Sequence, residues 1–175
     1  EWFPARDAAI LPRGSRVKDT GGPRRMTATE QHEGGCHCGK VRYRTTGQPA
    51  KTAVCHCRYC QLRSGSAFGV SVYFPDAAVA HMSGALTDYA FTTESGRPFT
   101  TRFCPTCGTT VFWTLGAFPG LTGVAGGTFD PPTFWYEVGR EVFARSRAPF
   151  ARTDIAECFD TSAGYAPVAA ERSRL

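Results

Sequence analysis

Hydrophobic and polar residues alternate along several short segments of this chain. In KVRYRT the alternation places Val41 and Tyr43 on one face and Arg42 and Arg44 on the other, which is typical of a strand with one buried face. WYEVGREVFA predicts one more strand or two short ones. The chain is therefore expected to be mainly β. On three further alternating segments, the residues expected to face the core are Phe68, Val70, Val72 and Phe74; Phe99, Thr101 and Phe103; and Val111, Trp113 and Leu115.

Composition supports one β-rich domain with many turns. The 175 residues include 19 Gly and 12 Pro, with 42% hydrophobic and 20% charged residues, which are the proportions of a soluble globular protein. Residues 26–175 are expected to form this domain. We expect residues 1–25 to be a flexible basic arm, and Met26 to be the natural start with non-native sequence before it.

The formal charge of +5 belongs mostly to that arm. Residues 1–25 carry +3 of it, so the domain is barely basic and nucleic-acid binding is not favoured. The arm lacks the apolar core of a secretory signal, and no run of 18 apolar residues occurs in the chain. These features predict a cytoplasmic protein without a membrane span.

Seven of the eight cysteines fall in three tight clusters, GGCHCGK, VCHCRYCQ and RFCPTCGTT. Clustering favours metal binding over a disulfide scaffold, whose cysteines are usually dispersed in small secreted chains. FCPTCG is the strongest motif, since Pro105 presets a turn and Gly108 allows the backbone to leave it. A redox C-x-x-C is disfavoured because no βαβ pattern surrounds it.

The seven thiols divide most simply into four and three. Cys36, Cys38, Cys104 and Cys107 would close one zinc site, which leaves Cys55, Cys57 and Cys60 to hold a second zinc with one open position. Structural zinc sites are closed and catalytic ones keep a position open. Spacing alone leaves other pairings possible, including a nitrogen ligand from His37 or His56, although we expect both histidines to lie beside the ligands or in solvent.

The remaining candidates carry weaker signals. The residues from Cys55 to Gly65 predict a short helical turn that ends at Gly65 and places Cys57 and Cys60 on one face. Arg58 and Arg63 are expected to be solvated, with attraction of an anionic substrate as the alternative role. The expectations for single residues are a surface position for His32 and His81, a buried thiol for Cys158 and a turn at Asp130 that could line a pocket.

The motifs GGCHCGKVRY, VCHCRYCQLRSGSAF, TRFCPTCGTTVFW and GGTFDPP, in this order, resemble the glutathione-dependent formaldehyde-activating enzyme family, which includes centromere protein V-like proteins. The resemblance covers about residues 32–160. It implies a β-tent, Mss4-like fold. It also implies Cys36, Cys38, Cys104 and Cys107 as ligands of a structural zinc, and Cys55, Cys57 and Cys60 as ligands of a more labile zinc at the active site.

The same resemblance implies a carbon–sulfur lyase that adds glutathione reversibly to formaldehyde. The chain departs from the family in its late strand, which lacks a histidine and has Phe150 at the usual aromatic position. The glutathione-contacting residues and the oligomeric state are not assigned. The alternative is a zinc-stabilised binding module without catalysis, in which the basic arm contacts nucleic acid or an acidic protein.

Overall fold

The computed structural model describes residues 29–169, in which the strands form two sheets. The smaller sheet is antiparallel and has the order β1-β2-β5, with β1 at Gln31–Gly35, β2 at Arg42–Thr46 and β5 at Val79–Ser83. Residues 1–25 and Met26, for which an arm and a start were predicted, lie outside the described residues.

The larger sheet contains eight strands. Its members are β3 (Lys51–Cys55), β4 (Gly69–Pro75), β6 (Thr87–Thr92), β7 (Pro98–Phe103), β8 (Thr110–Leu115), β9 (Leu121–Ala125), β10 (Glu141–Val142) and β11 (Cys158–Phe159). The order is β11-β10-β3-β4-β9-β8-β7-β6, and only the pairs that involve β10 are parallel. The mainly β prediction is confirmed.

Helical segments are short. The α-helix α1 spans Arg58–Ser64, and 3-10 helices span Asp76–Ala78, Gly126–Thr128 and Ala144–Ser146. Gly65 ends α1 in the left-handed conformation at φ 62°, which glycine adopts without a side-chain clash. The predicted helical turn is therefore confirmed. Among residues 29–169, no helix is long and apolar enough to cross a membrane.

The main core lies between the two sheets. Val41, just before β2, and Tyr43 within it are fully buried, as predicted. Tyr43 packs edge-on against Phe112 and Phe129 at ring distances of 5.1 and 5.5 Å. Asp130 follows Phe129, and its carboxylate pairs with Arg42 on the outer face of β2. Alternation along β2 thus separates core from surface.

The central strands of the larger sheet are buried on both faces. On β4 the predicted residues Val72 and Phe74 are buried, but so are Ser71 and Tyr73 on the opposite face. A second cluster of Tyr73, Phe99 and Trp113 covers that face, which is also the face on which α1 lies. On β8 the neighbouring residues Phe112 and Trp113 are also both buried, in different clusters. The prediction of a single buried face is therefore wrong for β4 and β8, because the small sheet and α1 cover opposite sides.

Candidate metal centres

Two turns of similar construction bring four cysteines together. After β1, the Cys36 amide donates to the Val41 carbonyl at 3.0 Å, and Gly39 turns the chain at φ 76°. After β7, the Cys104 amide donates to the Thr109 carbonyl at 3.0 Å, and Gly108 turns the chain at φ 73°. Each turn thus presents two thiols from the end of a strand.

The four thiols of Cys36, Cys38, Cys104 and Cys107 form what we call the four-thiol cluster. Their Sγ atoms lie within 4.8 Å of one another. The Cys36–Cys38 and Cys38–Cys104 sulfur distances are 3.5 and 3.8 Å, and a tetrahedral site with Zn–S bonds of about 2.3 Å requires sulfurs about 3.8 Å apart. The donor set therefore fits a zinc ion closed by protein.

Two sulfurs of this cluster, those of Cys36 and Cys107, take part in hydrogen bonds that favour their thiolate forms. The Val41 amide donates to Cys36 Sγ at 3.2 Å, and the Thr109 hydroxyl lies 3.3 Å from Cys107 Sγ. The hydrogen bond with Thr109 lowers the pKa of Cys107 to about 5. His37 is exposed at the rim and its ring does not belong to the cluster. Thiolates stabilised in this way are prepared to bind a cation.

The three-thiol cluster comes from one short stretch of chain. Cys55 ends β3, Cys57 precedes α1 and Cys60 lies in its first turn. Their Sγ atoms also lie within 4.8 Å of one another. Cys55 and Cys60 are each 7% exposed, whereas Cys57 is half-buried. The cluster is therefore accessible from the side of Cys57.

A cavity of about 180 Å³ adjoins the three-thiol cluster at Cys57. The helix contributes several polar side chains, the turn between β6 and β7 contributes an acid, and the segment after β10 contributes an aromatic ring. A small molecule in this cavity would lie beside the exposed thiol. The lining residues are Cys57, Arg58, Tyr59, Gln61, Glu94, Phe143 and Ser146.

The thiols of this cluster differ in acidity. Hydrogen bonds from Cys55 and Cys57, assisted by the Arg63 guanidinium, hold the pKa of Cys60 well below its usual range. The pKa of Cys55 is raised well above its usual value by hydrogen bonding to Cys57 and Cys60. Soft thiolate donors of this kind suit zinc, and three of them leave one tetrahedral position open.

The sequence matches the glutathione-dependent formaldehyde-activating enzyme family over residues 31–146, more than half of the chain. The chain belongs to this family. A solved Rhodobacter sphaeroides protein is similar at 25% sequence identity, with a TM-score of 0.46, and the match covers 61% of this chain and 96% of that one.

In this family member, the residue between Cys55 and Cys57 belongs to a buried hydrogen-bonded pair. His56 is 0% exposed, and its Nε2 lies 2.6 Å from Oε1 of Glu141, which is 1% exposed. Burial alone would raise the pKa of Glu141, but hydrogen bonds from Thr153, His56 and Arg147 lower it. The His56 ring therefore holds β10 against the cysteine loop and lies outside the cluster itself.

Glu141 had no assigned role in the sequence. The available signal was an acidic residue within the apolar alternation of YEVGREVF, which a fully buried strand tolerates only when the charge is paired. Its partner His56 lies far away along the chain, so the pairing required the parallel contact between β10 and β3.

The two arginines of α1 have different environments. Arg58 is exposed and donates to Gln61 at 3.4 Å, as predicted. Arg63 packs over the ring of Trp113, with its guanidinium carbon 3.6 Å from a ring centroid, and contacts Cys60 Sγ at 3.6 Å. The prediction that Arg63 is solvated is wrong, because the second buried face of the larger sheet provides an aromatic platform.

Two further predictions are wrong. Cys158 is exposed, because β11 is the edge strand of the larger sheet. The His32 side chain is largely buried and stacks on Trp135 at a ring distance of 3.5 Å, whereas His81 is exposed as predicted.

Phe150 is 82% exposed. Asp130 does not line the cavity beside Cys57, since its carboxylate pairs with Arg42.

Proposed function

We propose that this chain catalyses the reversible addition of glutathione to formaldehyde, which gives S-(hydroxymethyl)glutathione, at a zinc ion held by Cys55, Cys57 and Cys60. The observation that carries the proposal is the three-thiol cluster itself, with two buried sulfurs and a third that opens on a cavity. Family membership supports the same reaction class.

The four-thiol cluster would hold a second zinc with a structural role. Four thiolates saturate a tetrahedral ion and leave no position for substrate. The cluster joins the end of β1 to the end of β7, so its metal would cross-link the two sheets. We place the protein in the cytoplasm, where thiols remain reduced.

A zinc ion at the three-thiol cluster would supply an open position at which a substrate thiol binds as its thiolate. Cys57 lines the cavity, so a substrate thiol there would lie beside the residues that would hold the metal. Arg58, an exposed cation in the lining, attracts the carboxylates of glutathione. Tyr59 and Phe143 provide apolar surface there, which limits the access of water to the reacting atoms.

The addition requires one proton transfer. The sulfur–carbon bond forms as the carbonyl electron pair moves to oxygen, and that oxygen takes up the proton that the thiol has lost. Glu94 is the carboxylate among the described lining residues, and its Oε1 accepts a hydrogen bond from the Tyr165 hydroxyl at 2.9 Å. We assign the transfer of this proton to Glu94.

Two-dimensional exchange NMR with formaldehyde and glutathione tests the proposal. Protein loaded with zinc at both clusters should accelerate the exchange, and Cys57→Ser should not. Glu94→Gln should keep the metal content and lose at least tenfold in exchange rate. Fully loaded wild-type protein that leaves the exchange rate unchanged would rule out this reaction and favour the binding-module alternative.

A further inference from the structure

A guanidinium group contacts the Cys60 sulfur of the three-thiol cluster. Arg63 Nη2 donates to Cys60 Sγ at 3.6 Å, a normal length for a hydrogen bond to sulfur. Cys60 is 7% exposed, so solvent screens this contact only weakly. The positive charge of the guanidinium therefore interacts strongly with the Cys60 sulfur.

The guanidinium is held in place by an ordered platform. Its carbon lies 3.6 Å from a ring centroid of Trp113, which is 1% exposed. The indole Nε1–H donates to the hydroxyl of Tyr73 at 3.0 Å. Because the platform is fixed, the direction of the guanidinium is fixed as well.

Two glycines make room for this arrangement. A Cβ at Gly69 would lie 2.9 Å from Arg63 Nη2 and 3.2 Å from Cys60 Cβ. A Cβ at Gly123 would overlap the indole of Trp113. The Nε of Arg63 is buried and has no hydrogen-bond partner among the described residues, which costs free energy. The fold therefore places the cation against the sulfur despite an unmade hydrogen bond.

The two clusters differ in the donors that reach their sulfurs. In the four-thiol cluster the contacts come from neutral groups, the Val41 amide and the Thr109 hydroxyl. In the three-thiol cluster the Cys60 amide reaches Cys57, but the donor to the Cys60 sulfur is a cation. Three thiolates and a divalent metal carry a net charge of −1, which Arg63 neutralises. A fourth thiolate would then bring the centre to −1 rather than −2.

We propose that Arg63 is a positioning residue that sets the charge of the three-thiol centre, so that its open position accepts an anionic thiolate. The inference rests on the proposed function, in which this cluster holds the catalytic metal. Removal of the charge should weaken both metal retention and thiolate binding. Loss of an outer partner of a metal ligand typically costs 10–100-fold in metal affinity.

The test compares wild type with Arg63→Met, which keeps length and contact with Trp113 but removes the charge. Arg63→Lys restores a cation without the planar fork. Arg102→Met is the matched control, since Arg102 lies on β7 in a half-exposed pair with Asp88 and its loss changes the net charge equally. Each protein is loaded with Co²⁺ and titrated with 2-mercaptoethanol, and the thiolate-to-cobalt absorption band is followed.

Arg63→Met should bind the thiol at least tenfold more weakly and release zinc from the three-thiol site to a chelator at least tenfold more readily. Arg63→Lys should recover part of both losses, and Arg102→Met should match wild type within about twofold. An Arg63→Met titration that coincides with that of Arg102→Met would overturn the proposal.

A second variant covers the case in which Arg63→Met does not fold. Gly69→Ala keeps the charge but displaces the guanidinium from Cys60, and should weaken thiol binding in the same direction. Thiol binding equal to wild type in this variant would contradict the proposal. The thiol titration contains no formaldehyde, so it measures thiol binding separately from the proposed reaction. Failure of the proposed reaction would instead be seen as wild-type protein that binds thiol but does not accelerate the exchange.

Discussion

The four-thiol and three-thiol clusters are both made of cysteines, but they draw these cysteines from differently spaced parts of the chain. The four-thiol cluster collects pairs of cysteines from the ends of β1 and β7, which belong to different sheets. The three-thiol cluster takes all its members from residues 55–60, between β3 and α1. A ligand set drawn from distant segments restrains the fold, whereas a local set leaves the topology independent of its metal.

The largest expected effect is that of Cys104→Ser. Apparent metal-binding free energies of about 10–16 kcal/mol at structural zinc sites equal or exceed the stability of a typical domain. We expect loss of cooperative unfolding and of near-UV circular dichroism, because the two sheets lose their cross-link. A folded Cys104→Ser protein that still binds two metal ions would break the comparison.

Cys57→Ser should remove one metal ion without unfolding the protein. The metal content should fall from two ions to one and the exchange activity should disappear, with stability changed by no more than about 1 kcal/mol. Elemental analysis and urea unfolding measure the two quantities. Unfolding of this variant, or one ion in wild type from the start, would show that the thiols do not act as four and three.

Removal of metal by a chelator compares the rates at which the two clusters release their ions. The open cluster should release its metal at least about tenfold faster than the closed one, since a chelator can occupy the free position before any thiolate leaves. A colorimetric chelator followed over time should show two phases of equal amplitude, and exchange activity should vanish with the first. A single phase would mean that the clusters do not differ in access.

The smallest effect on metal content and exchange activity is expected for Glu141→Gln. The folded-state pKa of Glu141 lies below its ordinary value, so the stabilisation is present above about pH 4.3 and is lost as the pH falls through the folded pKa. Glu141→Gln should lower the free energy of unfolding by about 2 kcal/mol at pH 7, and the difference from wild type should narrow below about pH 4.

Glu157→Gln is the control for that experiment, because Glu157 forms a half-exposed pair with Arg140 and its loss should cost less than about 0.5 kcal/mol. Because Glu141 bonds to His56, Glu141→Gln should also speed metal release from the three-thiol cluster alone. Equal acceleration at both clusters would contradict this anchoring role.

Local chemistry could be predicted from the sequence. Gly65 ended α1 as expected, and the turns at Cys36 and Cys104 lie at strand ends because a few neighbouring residues determine each one. The mainly β fold followed from alternation, although β4 is buried on both faces.

Arrangements that depend on distant residues could not be predicted. Arg63 stacks on Trp113, and Glu141 meets His56, only because separate strands become neighbours in the larger sheet. The exposure of Cys158 depends in the same way on β11 being an edge strand. No local pattern contains the order of strands, which decides all three cases.

The parallel pairing of β10 with β3 also sets an order of assembly. The amides of Val54 and His56 donate to the carbonyls of Arg140 and Val142, so the loop that carries Cys55 and Cys57 is completed by a segment synthesised much later. Cys107 leaves the ribosome before that segment does. During synthesis the chain can therefore close its four-thiol cluster first, and the three-thiol cluster matures on a scaffold that already exists.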